Sequence, residues 1–126
     1  MDSRIATSVA CGGVCGAAAR WGLGEAIPYE SGWPWAIFVA NVVGALTLGA
    51  LTGRFGFSSA PLVVATTTGF CGALTTFSSF AVDLALFLSD REIALAVGYL
   101  LVSLSVGLLA YRLGSAAATR LGAGEP

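Results

Sequence analysis

The chain has no histidine and no lysine. Its six basic residues are all arginine, and only 10% of its 126 residues are charged. Without histidine it lacks the commonest general base and metal ligand. Without a basic face, and with a net charge of −1, it lacks what nucleic-acid binding requires. No G-x-x-x-x-G-K-[ST] loop occurs, so nothing marks a nucleotide site. Cysteine is scarce: Cys11, Cys15 and Cys71 all lie in apolar segments. Zinc takes about four ligands, and no further cysteine or histidine completes a set. The three thiols therefore read as small packing residues, and the chain does not read as an enzyme. Ordinary soluble domains carry about 25% charged residues. A chain that is 56% hydrophobic, with mean hydropathy +0.85, is too apolar for a water-facing surface. It reads as integral to a bilayer.

A hydrocarbon core takes about 20 helical residues to cross. Four stretches meet that length, within one domain covering residues 1–126: approximately 5–23, 34–52, 61–88 and 93–113. The first has a single early Arg4 and no clean cleavage site, so it reads as a retained span rather than a signal peptide. Residues 114–126 are small and polar and are expected to fray. Trp21, Trp33 and Trp35 flank the first loop, where indoles anchor a chain at the membrane interface. Gly12 with Gly16, Gly13 with Ala17, and Gly49 with Gly53 repeat the small-x-x-x-small spacing that brings helix backbones together. With four spans, Arg4, Arg54, Arg112 and Arg120 share one side and Arg20 and Arg91 the other. So slight a bias permits insertion in either orientation, and hence an antiparallel pair of chains.

The third span departs from a plain apolar helix. Gly69-Phe70-Cys71-Gly72-Ala73-Leu74-Thr75-Thr76-Phe77-Ser78-Ser79-Phe80 places glycines and hydroxyls at its centre. Such residues weaken or interrupt a helix. In a membrane, irregular backbone persists only where protein or a wet cavity surrounds it, so a broken third helix is expected. Around it lie Asn41 in span 2, Asp83 later in span 3, and Tyr99 and Ser103 one turn apart in span 4. Asn41 reads as interhelical glue or as a donor lining a path. Asp83 is an intramembrane carboxylate, a functional candidate near the surface. Phe77 and Phe80 share a helical face. Their ring edges carry partial positive charge, which with hydroxyl and amide donors can replace part of an anion's hydration shell. No arginine lies mid-span in spans 2 or 3. That leaves either no anion conduction, or selection of a small anion by many weak donors.

These residues resemble the CrcB/Fluc fluoride channels. The resemblance rests on Gly12-Gly13-x-x-Gly16-Ala17-x-x-Arg20-Trp21, on Asn41-Val42-Val43-Gly44, and above all on Gly69-Phe70-Cys71-Gly72-x-x-Thr75-Thr76-Phe77-Ser78-Ser79-Phe80, with Tyr99 and Ser103 in span 4. It covers nearly the whole chain. It implies an all-α fold of four transmembrane helices with a broken third helix, paired as an antiparallel dual-topology dimer in the cell membrane. It implies passive export of fluoride past Asn41, Phe77, Phe80, Ser79, Tyr99 and Ser103. It implies a structural sodium ion (Na+) at the dimer centre, held by the backbone carbonyls of Gly72 and Thr75, and places Arg20 and Asp83 near a vestibule. The partner is a second identical chain or a paired homologous one. The sequence departs from the family pattern at Asp83, where a Glu is frequent, at Ser79, where a Thr is frequent, and at Gly107, where a Ser is frequent. Two other readings are a small dual-topology multidrug transporter and a non-transporting assembly subunit. The first calls for a mid-span carboxylate in span 1, and none occurs before Glu25; the second leaves the hydroxyl-rich stretch unexplained.

Overall fold

The computed structural model describes residues 3–29, 32–56 and 58–122. All secondary structure among them is helical: α1 (Ser3–Ala26), α2 (Trp35–Phe55), α3 (Pro61–Val64), a π-helical segment (Ala65–Cys71), α4 (Gly72–Leu74), α5 (Phe77–Ser89) and α6 (Ile93–Gly122). Among the described residues three stretches are long and apolar enough to cross a membrane: Trp35–Phe55, Pro61–Ser89 and Ile93–Gly122. Helix α1 has 24 residues, about 36 Å at 1.5 Å per residue, but is less apolar than these three.

Local chemistry sets the boundaries. Pro34 precedes α2, and Gly56 ends it at φ 61°, its N–H returning to the Thr52 carbonyl. Pro61 opens α3 in the first turn, where its missing N–H costs nothing. Between α5 and α6, Arg91 adopts φ 62°. The Arg91 N–H donates to the Leu88 carbonyl and the Glu92 N–H to the Phe87 carbonyl. This is a Schellman closure, with arginine in the left-handed position where glycine is commonest.

The third span is interrupted in two ways. Its first part widens into the π segment, where the Thr66 and Thr67 hydroxyls donate to the Leu62 and Val63 carbonyls. Such back-bonding loosens a helix. The chain then leaves helical geometry at Thr75 and Thr76 before α5 begins. The expected break is therefore present, and it lies at Thr75–Thr76.

Helix α1 packs along the π segment and α4, and α2 packs along α6. A Cβ at Gly12 would fall on the Ala65 carbonyl oxygen, and one at Gly16 on that of Phe70. Gly13, by contrast, has open space beside it, so the second small-residue repeat is not used inside one chain. Between α2 and α6, Gly49 lies against the Tyr111 backbone, Gly53 against Ser115 and Gly114 against Leu46. These last contacts correct the expectation of fraying for residues 114–122; residues 123–126 lie outside the described residues. Helix α6 continues to Gly122, because Gly114 and Ser115 seat its final turns on α2 instead of leaving them to fray.

Candidate functional site

Asn41 and Thr76 hold the break open. The Thr76 N–H donates to Asn41 Oδ1 at 2.8 Å, and Asn41 Nδ2 donates to the Thr76 carbonyl at 3.2 Å. One amide thus satisfies both backbone groups of a residue that has left the helix, as a buried peptide unit requires. Thr76 is itself the N-cap of α5: its Oγ1 accepts from the Ser79 N–H at 3.2 Å and lies 3.1 Å from Ser79 Oγ. Threonine is a favoured N-cap residue, and that is the only local signal for this cap in the sequence. Thr76 was nonetheless absent from the residues expected at the site.

These bonds have a consequence for two carbonyls. In a continuous helix the Thr76 N–H would bond the Gly72 carbonyl, and the Ser79 N–H would bond that of Thr75. Here the first goes to Asn41 and the second to the Thr76 side chain. The Gly72 and Thr75 oxygens are released together, and both residues line a cavity of about 250 Å³ with Gly44, Thr67 and Cys71. Released carbonyls are the donor type a hard cation takes. The residues present fit a hard cation such as sodium. Among the described residues no cluster of His, Cys, Asp and Glu offers an alternative metal site.

A second cavity, about 270 Å³, shares Thr75 with the first and extends to the residues after the break. Asn41, Thr75, Thr76, Phe77, Phe80, Ser103 and Leu104 line it. The two phenyl rings meet at 5.9 Å between centroids, yet their environments differ. Phe80 is 4% exposed and Phe77 79%. The N-terminus of α5, with its partial positive charge, opens beside them. Ser103 Oγ is buried and has no hydrogen-bond partner. Phe80 packs on Tyr99 at 4.9 Å, and the fully buried Tyr99 donates its hydroxyl to Asp83 Oδ2 at 3.4 Å. Sequence spacing of 35 to 62 residues thus collapses into one neighbourhood of donors and ring edges without a full positive charge.

Not every expected residue joins it. Ser79 is bonded within the α5 cap and does not line the cavity. Asp83 does not line the cavity and is joined to the site through the Tyr99 hydroxyl. Arg20 is partly buried on α1, away from the cavity, and makes no hydrogen bond or ion pair among the described residues. Trp21 and Trp35 are exposed, as interface anchors should be, but Trp33 packs inward against Tyr99 and Phe38. Cys11 and Cys15 are exposed on α1, whereas Cys71 is buried.

Comparison with known proteins places this geometry in context. The CrcB-like protein family (Camphor Resistance) matches residues 7–115. The chain is 38% identical over 115 residues to the fluoride-specific ion channel FluC of Ignicoccus hospitalis, covering 90% of this chain and 94% of that one. It is 39% identical over 127 residues to fluoride-specific ion channel FluC 1 of Mycobacterium bovis, covering 95% and 94%. It is 40% identical over 106 residues to fluoride-specific ion channel FluC 2 of Rhodococcus jostii, covering 84% and 91%.

Proposed function

Since the chain belongs to the CrcB-like family, we propose that it is a fluoride-selective channel of the cell membrane that lets fluoride leave the cell passively. It is a multi-pass membrane protein and not an enzyme. The observation that carries the reading is the cavity shared by Asn41, Phe77, Phe80 and Ser103. Fluoride is small and tightly hydrated, so a path for it has to replace water with several donors. A full arginine charge would hold it too well to release it, since conduction needs sites weak enough to leave. Here the partners are phenyl edges, a hydroxyl, an amide hydrogen and a helix N-terminus. Membrane potential supplies the drive, about 2.3 kcal/mol per charge per 100 mV, and no pump is required.

The finer architecture belongs to the same proposal. Helix α1 is the fourth span, its less apolar character offset by close packing on the π segment. Two chains pair antiparallel. Three features support the pairing: the slight arginine bias, the outward Phe77 ring, and two released carbonyls that fill only part of a cation's shell. A two-fold axis doubles that set, so a sodium ion would cross-link two otherwise open helix breaks. An identical chain is the simplest partner; a paired homologous chain is the alternative.

Liposomes holding only the purified chain test the reading. Fluoride efflux without matching chloride efflux is expected. A folded, paired protein that carries no fluoride would sink the channel, and one that conducts only after a homologous chain is added would replace the homodimer.

A further inference from the structure

Among the described residues, two buried side-chain polar atoms have no hydrogen-bond partner: Ser103 Oγ and Trp33 Nε1. The first lines the cavity already assigned to the ion path. The second has no role in that account. Trp33 lies just before α2, at the end of the molecule where α5 finishes and α6 begins. Its ring meets Tyr99 edge-to-face, 5.1 Å between centroids and 85° between planes. Tyr99 in turn meets Phe80 at 4.9 Å, and Phe80 meets Phe77 at 5.9 Å. The four rings form an unbroken ladder from the helix break towards the first loop. Ser103 and Trp33 flank Tyr99, one a helical turn deeper and the other towards the loop.

Resting on the channel reading, we infer that the Trp33 indole N–H is a further anion contact, the outermost donor on this aromatic ladder. An indole N–H donates and cannot accept. Burying it without an acceptor is unfavourable, so the position makes sense if its acceptor is a passing species. Fluoride accepts hydrogen bonds and donates none, which matches a donor-only group. Asp83 does not take up the indole N–H; it receives the Tyr99 hydroxyl. With the Tyr99 hydroxyl engaged by Asp83, the Trp33 indole is the neutral donor left uncommitted at this end of the ladder.

The indole ¹⁵N–¹H resonance of Trp33 reports the contact, in the paired protein carrying Trp21→Phe and Trp35→Phe. Those two indoles are exposed. Titration with sodium fluoride should move the resonance, and sodium chloride at equal ionic strength should not. Trp33→Phe keeps the ring and removes the N–H; it should slow fluoride efflux roughly tenfold, the scale of one lost hydrogen bond to a charged partner. A resonance unmoved by fluoride, in protein that conducts it, would overturn the proposal and leave the channel standing. The N–H would then point at the Tyr99 ring or hold a fixed water. Should Trp33→Phe fail to fold, the titration of Trp33 itself still decides. Loss of fluoride efflux in the Trp33-containing protein would instead condemn the channel reading.

Discussion

Phe77 and Phe80 are three residues apart and do different work. Phe80 belongs to the core with Phe87, Ala96 and Tyr99, so shrinking it would damage packing and confuse any reading of flux. Phe77 is largely exposed within one chain. Phe77→Ile should therefore slow fluoride efflux while the melting temperature and elution volume stay unchanged; unaltered efflux would mean that the ring only packs. Asn41 is the opposite case. Removing its amide strands the Thr76 N–H and carbonyl together. Asn41→Ala should cost about 1–3 kcal/mol, read from denaturant unfolding in micelles, besides any effect on flux. An amide at that depth in span 2 is visible in the sequence as unusual. That it braces the break while also lining the cavity is visible only in three dimensions, because its partner is 35 residues away.

At the scale of elements, close packing through glycine explains which repeats matter. Gly49→Ala would drive a methyl into the Tyr111 backbone, and overpacking of this kind costs about 1–3 kcal/mol. Gly13→Ala meets nothing within one chain. A thermal melt of each in detergent should separate them, with the first lowered and the second unchanged; equal losses would place Gly13 against a partner. The spacing G-x-x-x-G is the same in both places, so a sequence cannot rank them. The turn between α5 and α6 offers an independent check. Arg91 sits in the left-handed region, which costs an L-residue roughly 1–2 kcal/mol. Arg91→Gly should leave the fold unchanged and raise the melting temperature; a fall would show that the arginine side chain contributes more than its backbone costs.

For the whole molecule, pairing and the central cation are the consequences to measure. In a background lacking Cys11, Cys15 and Cys71, Ser58→Cys places a label in the loop after α2. If chains insert in both orientations, an impermeant thiol reagent should modify one population from outside the cell and a second only after the membrane is opened. A single population would exclude the antiparallel pair. Replacing sodium with a bulky organic cation should lower the melting temperature of the pair without unfolding the separate chains, since the released Gly72 and Thr75 carbonyls would lose their shared ligand. No change on prolonged exchange would leave those oxygens to water.

The sequence by itself determined the solvent and the period. With 10% charged residues and apolar stretches long enough for helical spans, helices in a bilayer satisfy the backbone, and the glycines and hydroxyls of residues 69–80 mark where one helix cannot continue. It also carried the family, since those residue types at that spacing are rare. The tertiary structure decided the pairings. It sent Asn41 to Thr76, bound Ser79 to the Thr76 cap and off the cavity lining, folded Trp33 inward, and kept α6 helical to Gly122 by seating Gly114 on α2. Local sequence sets where a helix weakens. Which donor then takes up the freed backbone depends on what packing brings within hydrogen-bond reach, and at Gly69–Phe80 that choice separates the carbonyls suited to a cation from the rings and hydroxyl suited to an anion.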